Sequence, residues 1–177
     1  MQRLILMRHA KTEAWYEGVD DHGRALTERG HVDALRVAEA LVVDGWRADL
    51  ALVSTARRAR ETWLEMAAVH RAREVQYLDD LYLASPDTMS ELIEPYAGSC
   101  ETLILIGHNP GIYDFAWQLT RRAGSDNPLA VDHLREKYPT GCASLFEAAE
   151  DGPFVPVLFK LVDVVRPKDL RPGEEGP

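Results

Sequence analysis

The chain opens on an unbroken apolar run, Leu4-Ile5-Leu6-Met7, that stops abruptly at Arg8-His9. Such a run, with a β-branched member, is too short for a helix and fits a strand buried on both faces, as in a parallel sheet. Leu50 to Val53 and Thr102 to Ile106 repeat the pattern, and Val75 to Leu78 is a weaker example. Between these runs the apolar period becomes helical. Val32, Leu35, Ala38, Leu41 and Val42 mark one face behind Thr27, a residue suited to cap a helix, and Asp44-Gly45 ends it. Ala59, Trp63, Met66 and Ala67 mark a second helix, capped by Ser54 or Thr55 and running to about His70. Met89, Leu92, Ile93 and Tyr96 mark a third, with Ser85 as cap and Pro86 at its first position. Ile112, Phe115, Ala116 and Leu119 mark a fourth, capped by Asn109 and opened by Pro110. Ala123 to Asn127 is expected as a loop and Asp132 to Lys137 as a charged connector. Ser144 to Ala148 and Pro156 to Val165 complete the pattern as two strands around Gly152-Pro153.

Strands alternating with helices predict a three-layer α/β/α sandwich, with a mostly parallel central sheet, helices on both faces and an antiparallel edge. No repeat or linker divides the chain. Residues 1–166 are therefore expected to form one domain, and the Pro-, Gly- and Glu-rich stretch 167–177 a mobile tail.

Composition adds exclusions. Hydrophobic content of 46% and charged content of 28% are those of a globular protein. The apolar runs are strand-sized, too short to span a membrane, and the chain enters a strand without an apolar leader, which favours the cytoplasm. Cys100 and Cys142 are expected to stay reduced, and they lack the spacing of a zinc site. A net charge of −9 argues against nucleic acid as a partner. In so acidic a chain the position of each arginine is informative.

Three strands end in chemistry: Arg8-His9, Ser54 to Arg58, and Gly107-His108. In a parallel sheet these carboxyl ends lie side by side, where open α/β sheets bind ligands. Two histidines and at least two arginines then converge. Guanidinium groups match phosphate oxygens bidentately, and a histidine among them can attack phosphorus. Arg57, Arg58 and Arg60 crowd a helix start, where the dipole disfavours cations unless an anion sits there. Flanking arginines argue against a metal at the histidines. The competing reading is local: solvated polar residues at strand ends and a solvated basic helix face.

At family level, Arg8-His9-Ala10 after an apolar strand resembles the Arg-His-Gly signature of the histidine phosphatase superfamily, also called phosphoglycerate mutase-like. Leu26-Thr27-Glu28-Arg29-Gly30 resembles its Leu-Thr-x-x-Gly turn. Ser54 to Thr62 resembles its Ser-Pro-Ala-x-Arg-Ala-x-Gln-Thr motif, with Thr55 for proline and Glu61 for glutamine. Gly107-His108-Asn109-Pro110 resembles the motif of its second histidine. The Asn-Pro form and the short length are most similar to the SixA-like phosphohistidine phosphatase branch. The resemblance spans about residues 3 to 165.

It implies a phosphoglycerate mutase-like fold with His9 as the transiently phosphorylated nucleophile. Arg8, Arg58 and His108 would hold the phosphoryl oxygens, and a hydroxyl at Thr12 would lie near the phosphate. Arg57 and Arg60 would be surface or rim residues. No cofactor or metal is implied. The implied activity is phosphoryl transfer to His9 and then to water, on phosphohistidine in a phosphorylated protein. The alternatives are a phosphatase for small phosphate esters or sugar phosphates, and a non-catalytic phospho-ligand binding protein. Many relatives carry a glutamate acid in a Leu-x-Glu context. Here Leu81-Tyr82-Leu83 places leucine at that position, and Asp20, Asp21, Asp79 and Asp80 are the nearby candidates. His22, His31, His70 and His133 are expected in loops or on helix surfaces, without a catalytic role.

Overall fold

The alternation along Leu4 to Met7 sorts side chains to two cores. In the computed structural model, which describes residues 1–18 and 20–171, β1 (Arg3–Arg8) sends Leu4 and Leu6 to one apolar cluster and Ile5 and Met7 to another. All four are fully buried, as a central strand requires. The other described strands are β2 (Leu50–Ser54), β3 (Glu74–Leu78), β4 (Thr102–Gly107), β5 (Ala143–Glu147) and β6 (Lys160–Val165). They form one sheet in the order β3-β2-β4-β1-β5-β6. β1, β2, β3 and β4 run parallel, β5 is antiparallel to β1, and β6 is antiparallel to β5.

Helices cover both faces. Val37, Ala38 and Leu41 of α1 (Glu28–Val43) join Ala59, Trp63 and Met66 of α2 (Arg57–His70) against Ile5 and Met7. On the other face Met89 and Ile93 of α3 (Pro86–Ile93) meet Ile112, Phe115 and Leu119 of α4 (Gly111–Ala123), and Ala130 and Leu134 of α5 (Pro128–Glu136). The three-layer α/β/α sandwich with an antiparallel edge is therefore the observed fold. Among the described residues no helix is long and apolar enough to cross a membrane.

Several local expectations need correction. The buried face of α1 is Ala34, Val37, Ala38 and Leu41, and Val32 is exposed. The helix is turned because Gly30 and Asp33 also face inward. A Cβ on Gly30 would lie 2.1 Å from the carbonyl oxygen of Lys11, so only glycine allows that approach. The Asp33 carboxylate accepts from Arg171 at 2.9 Å. The expected charged connector lies largely within α5, where Asn127 caps the N–H of Ala130 and Pro128 takes the first turn. Pro156–Leu158 is a 3-10 turn, so β6 starts only at Lys160. His70 is not on the surface. It is fully buried, and its Nδ1 accepts the N–H of Ala48 at 3.0 Å. The first part of the expected tail is anchored: Pro167–Leu170 is a 3-10 turn against α1, and Arg166 bonds Asp169 and Glu136. Residues 172–177, the rest of that tail, lie outside the described residues.

Candidate active site

Parallel pairing sets Arg8 opposite Gly107. The next residues, His9 and His108, therefore emerge together from adjacent strands, with ring centroids 5.1 Å apart. The His9 N–H donates to the Gly107 carbonyl at 3.1 Å. His9 Nδ1 lies 2.8 Å from the Ala10 carbonyl oxygen. A carbonyl only accepts, so this bond keeps the proton on Nδ1 and leaves Nε2 with its lone pair. Burial, with the charges of Arg58, Arg8 and Arg24, pushes the His9 pKa down to about 3 despite the Ala10 bond. The ring is neutral at pH 7.

His108 is equally buried. Its Nε2 lies 2.8 Å from the Ser54 hydroxyl at the end of β2, and its Nδ1 is buried without a partner among the described residues. Burial first, then His9 and Arg58, push its pKa to about 3. Neither Ser54 nor Thr55, the two candidate caps of α2, caps it. The Ser54 hydroxyl is instead shared between His108 and the Ala56 N–H, and α2 opens after Ala56 without a side-chain cap. Thr55 is diverted to Asp79 at 2.7 Å. Asn109 does not cap α4 either. Its amide donates to the Tyr138 carbonyl, and the helix starts at Gly111, where a Cβ would lie 2.0 Å from the Ala84 carbonyl oxygen.

Arg8 reaches the Tyr138 carbonyl at 3.0 Å through Nη1, while its Nε is buried without a partner among the described residues. Burial lowers its pKa, which favours an anion beside it. Arg58, in the first turn of α2, is 4% exposed. It donates to the Asp21 backbone carbonyl at 2.5 Å and to Asp21 Oδ2 at 3.0 Å. The Tyr82 hydroxyl donates to the same Oδ2 at 2.7 Å, and Arg24 to Oδ1 at 2.8 Å. Tyr82 first, then Arg24, with Arg58, hold the Asp21 carboxyl well below the usual carboxylate range. The Tyr82 ring lies edge-on to His108 at 5.3 Å and beneath the Arg58 guanidinium at 5.6 Å. By contrast Arg57 pairs with Glu61 at the surface, and Arg60 lies over the Tyr77 ring.

His9 and His108 are thus brought together, with Arg8 and Arg58 adding charge to the His9 surroundings. Thr12 is not joined to them directly. Its hydroxyl accepts from Arg24 at 2.7 Å, so among the described residues it reaches the cluster through Arg24 and Asp21. Of the carboxylate candidates, Asp21 alone is bonded to the cluster. Asp20 accepts the His22 N–H, Asp79 accepts from Thr55, and Asp80 is exposed. Leu83 is 60% exposed with a positive φ of 55°. Sequence reasoning missed Tyr82, Arg24 and the Ser54–His108 contact. The signal for Tyr82 is a polar aromatic within Leu81-Tyr82-Leu83, the segment that lacks the glutamate. His22 does lie in a loop, but it stacks edge-on to Tyr82 at 5.0 Å, at the rim of the cluster.

Residues 4–82 match the model of the histidine phosphatase superfamily, branch 1. An uncharacterized protein of Mycobacterium tuberculosis is 34% identical over 149 residues, covering 81% of this chain and 87% of its own. A SixA of Agrobacterium tumefaciens, provisionally designated a phosphohistidine phosphatase, superposes with a TM-score of 0.76 at 27% identity, covering 93% of this chain and 97% of that one. Its counterpart from Nakamurella multipartitia, with the same provisional designation, gives 0.80 at 25% identity, over 94% and 96%. Fold and matches define the class, an α/β phosphatase of SixA-like architecture. The chain belongs to the histidine phosphatase superfamily.

Proposed function

We propose that this protein is a phosphohistidine phosphatase of the SixA kind, with His9 as its nucleophile. The observation that carries the reading is the neutral His9 ring, with Nδ1 on the Ala10 carbonyl and the lone pair left on Nε2. In the first step Nε2 attacks phosphorus, the bond from phosphorus to the leaving imidazole nitrogen breaks, and that imidazole, already protonated by solvent on its other ring nitrogen, departs as a neutral ring. In the second, water attacks phosphorus, the bond to Nε2 breaks, and the proton of the water goes to solvent with phosphate. Arg8, Arg58 and a proton on His108 Nδ1 hold the equatorial oxygens, where charge accumulates in the transition state. The Ser54 hydroxyl, already accepting from Ala56, is free to donate to His108 Nε2, which selects that tautomer.

Substrate class follows from proton supply. Asp21 is ionised and has no proton to give, and the Tyr82 hydroxyl is committed to Asp21, which raises its pKa. An alkoxide would leave unassisted, whereas an imidazole, with an ordinary pKa of about 6.5, leaves as a neutral ring after protonation near pH 7. The SixA-like neighbours support the same reading. The function itself is tested with a phosphohistidine peptide, an aryl phosphate and an alkyl phosphate. The peptide and the aryl ester are turned over, the alkyl ester is slower by orders of magnitude, and His9→Ala abolishes all three. Equal rates on the alkyl ester would overturn the phosphohistidine reading, and an active His9→Ala would overturn the mechanism.

A further inference from the structure

Asp21 sits on the guanidinium that the proposed function reserves for a phosphoryl group. Both outer nitrogens of Arg58 are engaged by this one residue, Nη1 by its backbone carbonyl at 2.5 Å and Nη2 by its carboxylate at 3.0 Å. The carboxylate is aimed by two further donors, the Tyr82 hydroxyl at 2.7 Å and Arg24 at 2.8 Å. It is nevertheless 41% exposed, against 5% for the Arg58 side chain. The loop that carries it is tied to α2 through the Arg57 N–H and the His22 carbonyl at 3.0 Å. The carboxylate therefore has a path to solvent that leaves the backbone in place.

We propose that Asp21 is a resident anion that competes with the incoming phosphoryl group for Arg58. The proposal rests on Arg58 being a phosphoryl ligand, as in the function above. A carboxylate carries one negative charge, whereas a phosphoryl group carries about −1.5 to −2 and three acceptor oxygens. The phosphoryl group wins the exchange, but its affinity is lowered by whatever holds Asp21 on Arg58. That penalty is the same for every phosphoryl ligand. Inorganic phosphate and small esters have nothing to set against it. A phosphorylated protein adds contacts outside the phosphoryl group. Asp21 thus keeps free phosphate and small esters from filling the site at concentrations where a phosphorylated protein still does, and it eases release of product phosphate.

The test is phosphate binding by calorimetry, with KM for p-nitrophenyl phosphate measured in parallel. Asp21→Asn tightens phosphate binding by about tenfold, the scale of one charge-assisted hydrogen bond, and KM falls by more than kcat changes. Asp21→Glu keeps the charge and restores weak binding. Asp20→Asn removes a neighbouring charge that does not touch Arg58, and it shifts the affinity by less than about twofold on the exposed-pair scale. Equal gains in Asp20→Asn and Asp21→Asn would reduce the effect to long-range charge and overturn the proposal. So would unchanged or weaker binding in Asp21→Asn. If that variant does not fold, Tyr82→Phe releases one of the bonds that aim Asp21 and tightens phosphate in the same direction, and no gain there overturns it as well. Arg58→Ala separates the two readings. Loss of phosphate binding in Arg58→Ala, with no gain in Asp21→Asn, removes the competitor and leaves Arg58 as a ligand. Unchanged phosphate binding in Arg58→Ala overturns the functional reading instead.

Discussion

Arg57 and Arg58 are neighbours in sequence and opposites in place. Arg57 is exposed and paired with Glu61, whereas Arg58 is buried against Asp21 and Tyr82. Substituting Arg58 by alanine is expected to lower kcat/KM on the order of a hundredfold or more, the scale of lost transition-state electrostatics. Arg57→Ala should cost less than about threefold, as exposed ion pairs contribute little. Steady-state kinetics on the pair decides it, and the reverse ranking would move the proposed phosphoryl site by one residue. His9 gives a second expectation at this scale. With its pKa pushed to about 3, its ring should show no protonation in nitrogen-detected NMR between pH 8 and 5. A midpoint near 6.5 would mean that burial and the arginines do not control it.

The loop that follows His9 is fixed to the first turn of α1 by the absence of one methyl group. A Cβ on Gly30 would meet the Lys11 carbonyl oxygen at 2.1 Å, and that oxygen also accepts the Thr27 N–H. Gly30→Ala must push α1 and the loop apart. The expected cost is about 1–3 kcal/mol in urea unfolding, the range for overpacking, with lower kcat at unchanged fold. A variant as stable and active as wild type would show that the loop yields freely. The same junction explains what was legible beforehand. Thr27 was readable as a cap because capping is local, and its hydroxyl accepts the Gly30 N–H at 3.1 Å. The phase of α1 was not, because Gly30 and Asp33 face inward for reasons outside apolar periodicity, the latter through Arg171, 138 residues away. The strand ends Arg8-His9, Ser54 and Gly107-His108 were legible because each apolar run stops at its own polar residue. The Tyr82–Asp21 bond joins loops 61 residues apart and carries no period to read. The α5 helix was missed because Asp132, Arg135 and Glu136 outweigh its short buried stripe of Ala130 and Leu134.

Across the whole molecule, three buried histidines share one electrostatic fate. His9, His70 and His108 have pKa values pushed down to about 3, 4 and 3, in each case with burial as the largest cause. The unfolded chain takes up those protons near pH 6.5, while the folded one resists until about 3 to 4. Between those limits the unfolded state binds more protons, so stability falls as pH falls. The midpoint of thermal unfolding should drop progressively from pH 7 to pH 4, and a flat profile would contradict it. The bond that sets the His9 tautomer has a different reach. Its acceptor is the carbonyl of Ala10, an atom common to every amino acid. A saturation scan of all 177 positions is expected to register the proposed phosphoryl ligands Arg8, Arg58 and His108 by lost activity, yet it would pass over this partner in silence. The genetic code has no substitution that deletes a carbonyl. Only chemical synthesis can question it, by exchanging the Ala10–Lys11 amide for an ester whose carbonyl accepts more weakly.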